Sequence, residues 1–223
     1  MKHITFYLDF ISPYAYLAFE QLPTALEGMS YSVNYKPVLF AGMLKHYGQL
    51  GPAEIAPKRD WTYRQVLWLA DKMHIDLQMP QSHPFNPLSL LRLAAQCAMP
   101  VEPGVADGTF AINRYVCEKI FRHVWLGGAD AADSQRLEAL AQQLVSSQRL
   151  NVDEAKTALK NNTSEAIARN VFGVPAFEVD GRIFWGLDAL PMLRDYLIES
   201  PWFSGPDWES VGQVSVGVSR QAG

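Results

Sequence analysis

Residues 3–10 (HITFYLDF) alternate apolar and polar positions and are rich in aromatic and β-branched types, a pattern that predicts a strand. Ser12-Pro13 follows at once, and apolar residues then recur at 14, 17, 18, 22, 25 and 26. That spacing is helical. Serine is a good N-cap and proline is favoured at the first helical position, so the helix is expected to start at Ser12. Pro23 is expected to kink it or end it early. Residues 31–39 (YSVNYKPVL) read as a second strand, which makes a βαβ unit with a parallel pair and a right-handed crossover. The glycines and prolines of 41–60 predict a loop. From residue 61 the period is helical, with further helices expected over 86–99 and 109–126, after Asp133, and over 152–161 and 163–171. No strand is expected in this central region. Strands return at 175–179 and 182–185 around Asp180-Gly181, the strongest short-range hairpin signal. A closing helix is expected at 188–199, and residues 201–223 read as a tail.

Composition narrows the function classes. Of the 223 residues, 48% are apolar and 19% charged, a globular balance that excludes general disorder. The net charge of −4 argues against a broad nucleic-acid surface. No apolar run approaches the ~18 residues of a membrane span. Asp9 interrupts the N-terminal apolar stretch, so a signal peptide is not expected and the chain reads as cytoplasmic. The two cysteines, Cys97 and Cys117, form no CxxC pair and read as buried free thiols. The five histidines make no metal-ligand spacing, and no metal is expected. Neither GxGxxG nor a Walker-type loop is present, so nucleotide cofactors have no local signal.

The order βαβ, helical block, ββα is the thioredoxin plan with a helical insertion, here expected as 1–42 plus 165–200 around 43–164. Three segments sharpen the match: FYLDFISPYAYLAFEQL (6–22), FGVPAF (172–177) and FWGLDALPML (184–193). Over about residues 1–200 the chain resembles the disulfide-oxidoreductase-A-like superfamily. Within it, the match is to the branch of 2-hydroxychromene-2-carboxylate isomerases and kappa-class glutathione transferases. That resemblance implies an α/β fold, a thioredoxin-like domain with an inserted all-helical domain.

Redox members of the superfamily carry C-x-x-C where this chain has Ser12-Pro13-Tyr14-Ala15. With neither sulfur present, thiol–disulfide exchange by the chain's own residues is chemically impossible there. By itself Ser12-Pro13 is an ordinary N-cap with proline behind it, contributing about 1 kcal/mol to the helix. The resemblance implies more: glutathione supplies the thiol, and the Ser12 hydroxyl donates to its sulfur. It also implies a cis Val174-Pro175 bond, although the sequence alone predicts trans, with the Val174 backbone pairing to the cysteinyl part of the tripeptide. Asp188, after Trp185-Gly186, matches a partner for the γ-glutamyl ammonium, and Lys58 matches a glutathione-contacting lysine. Relatives carry a polar residue where Leu187 stands, so one contact is missing. Gln49 replaces the usual asparagine and is given no role. Lys45 lies one position away from a substrate lysine, and Trp61, Trp68, Trp125 and Trp185 read as aromatic-pocket or core residues.

The function expected is a glutathione-dependent isomerase of a small chromene-carboxylate-like aromatic compound, working as a homodimer without nucleic-acid or membrane partners. The rivals are a kappa-like glutathione transferase or peroxidase, and a redox-inert peptide-binding module that uses the groove beside Pro175.

Overall fold

The computed structural model describes residues 1–100 and 110–218. Its centre is a mixed four-stranded sheet in the order β2-β1-β5-β6. Strand β1 (Lys2–Leu8) runs parallel to β2 (Tyr31–Pro37), with helix α1 (Pro13–Ala25) as the crossover. Strand β5 (Ala176–Val179) returns antiparallel to β1, placing Phe6 opposite Phe177, and β6 (Arg182–Trp185) closes a hairpin on β5. The turn between them has positive φ at both Asp180 (51°) and Gly181 (77°), as the Asp-Gly signal demands.

The sheet is buried on both faces. Ile4, Phe6 and Leu8 point into the larger core with α1 and the central helices, while Tyr7 and Ala176 join a smaller cluster with Val38, Met43 and Val171. On that second face, polar contacts replace apolar ones. The buried Lys36 ammonium sits 2.7 Å from Glu165, Arg169 bridges Glu165 and Glu178, and Tyr7 donates to Glu178. Every charge in this group has an opposite partner, which burial requires.

The central segment holds α2 (Phe40–His46), α3 (Ala56–Met73), α4 (Leu88–Gln96), α5 (Arg114–Trp125), α6 (Ser134–Gln143) and α7 (Val152–Ala168). Four expectations need correction. The 41–60 loop contains α2, and Pro52–Glu54 forms a 3₁₀ turn before α3 begins at Ala56. The helices expected at 152–161 and 163–171 are one, because the polar residues at the apparent break are answered by distant groups. Asn162 Nδ2 donates to the Pro37 and Phe110 carbonyls, and Thr163 Oγ1 accepts from Leu39 N–H. A short ladder pairs β3 (Met99–Pro100) with β4 (Phe110–Ala111) where no strand was expected. Finally, residues 201–213 are not a bare tail. They form a 3₁₀ turn at Pro201–Ser204, helix α9 (Pro206–Ser210) and a further 3₁₀ turn, and Phe203 is buried against Phe184. Before them, α8 (Leu190–Leu197) is the expected closing helix.

The expected boundaries at 42/43 and 164/165 fall inside α2 and α7. Trp125 and both cysteines are buried in the core, as expected for the thiols. Among the described residues, no helix is long and apolar enough to cross a membrane.

Candidate active site

Strand β1 ends at Leu8, and the chain turns through Asp9, Phe10 and Ile11 before α1 begins. Ser12 is the N-cap: its backbone is extended (φ −86°, ψ 114°), its Oγ accepts the Ala15 N–H at 3.2 Å, and Pro13 occupies the first helical position. Its hydroxyl proton finds no acceptor among the described residues. Ser12 is 8% exposed.

The turn is held from outside. Asp9, fully buried, accepts Ile11 N–H at 3.2 Å on one carboxyl oxygen and Phe40 N–H at 2.9 Å on the other. Burial pushes its pKa up to about 7 from 3.8, against the opposing pull of those backbone N–H groups. His83 approaches Ile11 O through Nε2 (2.8 Å) and Tyr63 through Nδ1 (2.7 Å); burial holds its pKa below the usual histidine value. Trp125 donates from Nε1 to Phe10 O at 3.1 Å.

Asp9 carries a stability prediction. The folded chain keeps its proton to about pH 7, whereas the unfolded chain loses it near 3.8. The folded state therefore binds more protons in between, and this group's contribution to stability falls as pH rises through that window. The full change is on the order of 4 kcal/mol. Chemical denaturation at pH 4, 5.5, 7 and 8 is expected to show the stability of wild type relative to Asp9→Asn declining across the series. A pH-independent difference would contradict it.

Beside the first turn of α1 lies a cleft of about 1140 Å³, walled by α1, α2, α3, the 172–175 segment and the start of α8. It brings together Lys58, Val174, Pro175, Trp185, Gly186 and Asp188 from three separate stretches of chain. Ser12 is not among the lining side chains; Tyr14, two residues on, is. Tyr14 donates to Gln65 Oε1 at 2.7 Å, which ties the first turn of α1 to α3. Lys58, Asp188 and Arg194 are the charged residues of the lining. Arg194 is engaged, donating to the Ala25 and Glu27 carbonyls beyond the end of α1. Lys58 and Asp188 are exposed and make no ion pair among the described residues. Gln49 also lines the cleft, whereas Lys45, Trp61 and Trp68 do not.

The Val174-Pro175 bond is cis, as the resemblance implied; His83-Pro84 is cis as well, which nothing in the sequence reading anticipated. Pro175 O is taken by Gly186 N–H at 2.9 Å, but Val174 N–H and C=O have no partner among the described residues. Both lie on a residue that lines the cleft and is only 8% exposed. Buried backbone groups are nearly always paired, so this open pair marks a place where a peptide-like ligand can bond. Phe172 and Trp185 pack at 4.9 Å to form an aromatic wall beside it. A Cβ at Gly173 would stand 2.7 Å from the Trp185 indole nitrogen, so any larger residue there would push the indole out of this place. Phe172 was legible only as part of the FGVPAF segment, and Tyr14 only as part of the Ser-Pro-Tyr run.

A model of the DsbA-like thioredoxin domain matches residues 3–198. The chain belongs to that family. Among relatives of this DsbA-like chain, 2-hydroxychromene-2-carboxylate isomerase of Sphingobium xenophagum is 28% identical over 89% of this chain and 99% of its own. Glutathione S-transferase kappa 2 of Caenorhabditis elegans is 27% identical over 92% of this chain and 95% of its own. Among solved structures, a 2-hydroxychromene-2-carboxylate isomerase superposes with a TM-score of 0.66 at 23% identity, over 92% of this chain and 98% of that one. The DsbA-like member described here differs from a dithiol oxidoreductase at the decisive place: Ser12 and Ala15 stand where two sulfurs would be needed.

Proposed function

We propose that this DsbA-like protein is a glutathione-dependent enzyme, and within that class an isomerase of a small aromatic compound like 2-hydroxychromene-2-carboxylate. One observation carries the reading. A thiol-free helix N-terminus, capped by Ser12, stands next to a cleft in which Val174 offers an unpaired backbone N–H and C=O. The two isomerase and transferase relatives, each matched over most of its length, support the same class.

The residues present fit a γ-glutamyl tripeptide. Val174 can pair with the central peptide group as one more strand does, Asp188 offers a carboxylate to an ammonium, and Lys58 offers a cation to a terminal carboxylate. The Ser12 hydroxyl, with its proton uncommitted, can donate to a sulfur anion, and the first-turn N–H groups of α1 add the positive end of the helix dipole. Glutathione, when bound, would supply a thiolate able to add to a conjugated carbon, so that the former double bond is single and free to rotate until elimination of the same thiolate restores it, with no net redox change.

Magnitudes decide which of these effects matters most. A thiol of pKa ~8.5 is about 3% ionised at pH 7, and lowering that pKa by two units raises the fraction roughly 24-fold. Nucleophilicity falls with basicity, and a Brønsted slope of ~0.4–0.5 takes back about 6–10-fold. Ionisation thus yields only a few-fold. Fixing the sulfur against the reacting carbon, where effective molarity can be very large, has to supply the rest. The chain's contribution is chiefly geometric.

The test is turnover of a chromene-carboxylate substrate with glutathione, following product by absorbance and residual thiol by titration. Product formed only in the presence of glutathione, with the thiol undiminished, supports the isomerase. Depletion in proportion to product replaces it with the kappa-like transferase, for which the similarity to the Caenorhabditis elegans protein speaks. Absence of glutathione binding by calorimetry overturns both.

A further inference from the structure

Since positioning dominates in the function proposed above, on which this inference rests, what holds Ser12 in place becomes the question. The backbone between β1 and α1 is gripped at every polar group from Phe10 O to Ser12 N. Phe10 O takes the Trp125 indole N–H at 3.1 Å. Ile11 N–H goes to one Asp9 carboxyl oxygen at 3.2 Å, and Ile11 O lies 2.8 Å from His83 Nε2. Ser12 N–H donates to Asp9 O at 3.0 Å. The peptide plane joining Ile11 to Ser12 is therefore tied on both edges, by His83 on its carbonyl and by the Asp9 main chain on its N–H. A carbonyl only accepts, so His83 must carry its proton on Nε2. The Tyr63 hydroxyl lies 2.7 Å from Nδ1 and donates to the His83 carbonyl at 2.7 Å, so it holds this residue by both ring and main chain.

Asp9 does a second thing. Its other carboxyl oxygen accepts Phe40 N–H at 2.9 Å, and Phe40 lines the cleft. Helix α2 has no side-chain cap of its own from Leu39. One buried carboxylate thus joins the Ser12 turn to the wall of the pocket that faces it. The groups around that carboxylate are backbone amides of Phe10, Ile11 and Phe40, with no charged side chain paired to it among the described residues.

We propose that Asp9 and His83 are positioning residues: together they fix the Ile11–Ser12 peptide group, and through it the place and direction of the Ser12 hydroxyl toward a bound thiol. Neither lines the cleft. Their effect reaches the sulfur only through Ser12.

The experiment uses the full chain, glutathione as the probe, and the ultraviolet absorbance of its thiolate as a function of pH. Asp9→Asn and His83→Phe are expected to raise the thiol pKa of bound glutathione by about one unit, roughly tenfold less thiolate at a given acidic pH. His83→Gln, which keeps a donor for Ile11 O, is expected to stay with wild type. S-methylglutathione, which has no ionisable sulfur, is expected to bind all four proteins within about twofold. Folded variants that bind S-methylglutathione yet leave the thiol pKa unchanged overturn the proposal, as does equal weakening of both ligands. Should a variant fail to fold, amide exchange in wild type decides: Ile11, Ser12 and Phe40 protected as well as β1 support the clamp, and fast exchange at these three overturns it. Wild type that binds neither ligand defeats the functional reading instead, and amide exchange then still decides the clamp by itself.

Discussion

Replacing Ser12 by alanine is expected to slow the glutathione-dependent reaction about ten- to a hundredfold while leaving the fold in place. The rate estimate follows from losing one hydrogen bond to a charged group, worth ~1.5–3 kcal/mol. The stability estimate follows from the other task of the same oxygen. Ser12 Oγ accepts Ala15 N–H, and loss of an N-cap costs about 1 kcal/mol, a fall of roughly 2–4 °C in Tm for a chain of this size. Steady-state rates at saturating glutathione, paired with thermal melts, separate the two. Wild-type turnover in a folded Ser12→Ala protein would remove Ser12 from the chemistry and leave it as a helix cap.

A second substitution should have a larger and more easily read effect. The wild-type protein is expected to be almost inert toward thiol reagents and glutathione disulfide. Cys97 and Cys117 are both buried, and burial pushes Cys97 up to about 11 and Cys117 well above its usual value. At pH 7 a thiol of that kind is about one part in ten thousand thiolate. Ser12→Cys places a thiol at a helix N-terminus, where its pKa falls and most of it can ionise at neutral pH. Even after the lower nucleophilicity of a less basic thiolate is counted, its reaction should be roughly 40- to 120-fold faster, before the burial of Cys97 and Cys117 is added. Because position 15 is alanine, nothing within the motif can resolve the adduct. Intact-mass analysis after exposure to glutathione disulfide should therefore show one stable mixed disulfide, mapping to residue 12. No adduct, or labelling at the buried cysteines instead, would mean that the first turn of α1 is not open to the tripeptide.

Much of this was legible in the amino-acid sequence because the signals were local. Ser12-Pro13 carries its own start instruction, and the structure places α1 from Pro13 with Ser12 as its cap. Asp180-Gly181 supplies the two positive φ angles its turn needs, and β5 and β6 flank it. What escaped depends on partners far along the chain. Helix α2 has weak periodicity and no side-chain cap, and is met by Asp9 from 31 positions away. Helix α7 looked broken at Asn162 and Thr163 because the Asn162 Nδ2 donates to β2 and β4 and the Thr163 Oγ1 accepts from Leu39 N–H, just before α2, partners far away in the chain. His83 gave no signal at all, since its bond to Ile11 spans 72 positions. Residues 201–213 lacked periodicity because they pack by aromatic contacts, Phe203 and Trp208 against Phe184, rather than by a stripe.

The candidate site shows the same division. Lys58, Val174, Pro175, Trp185, Gly186 and Asp188 converge on one cleft, while Ser12 is not in its lining and Tyr14, two residues on, is. The residues that hold Ser12 in place were invisible without three dimensions. Gly173 is a further case, because the closeness of Trp185 to it is a property of the fold and not of the FGVPAF segment alone.

A crystal structure with glutathione bound tests the central claim most directly. The account predicts the cysteinyl peptide paired with the N–H and C=O of Val174 and the sulfur within hydrogen-bonding reach of Ser12 Oγ. A tripeptide seated with its sulfur turned away from the first turn of α1, or no occupancy at saturating concentration, would contradict it.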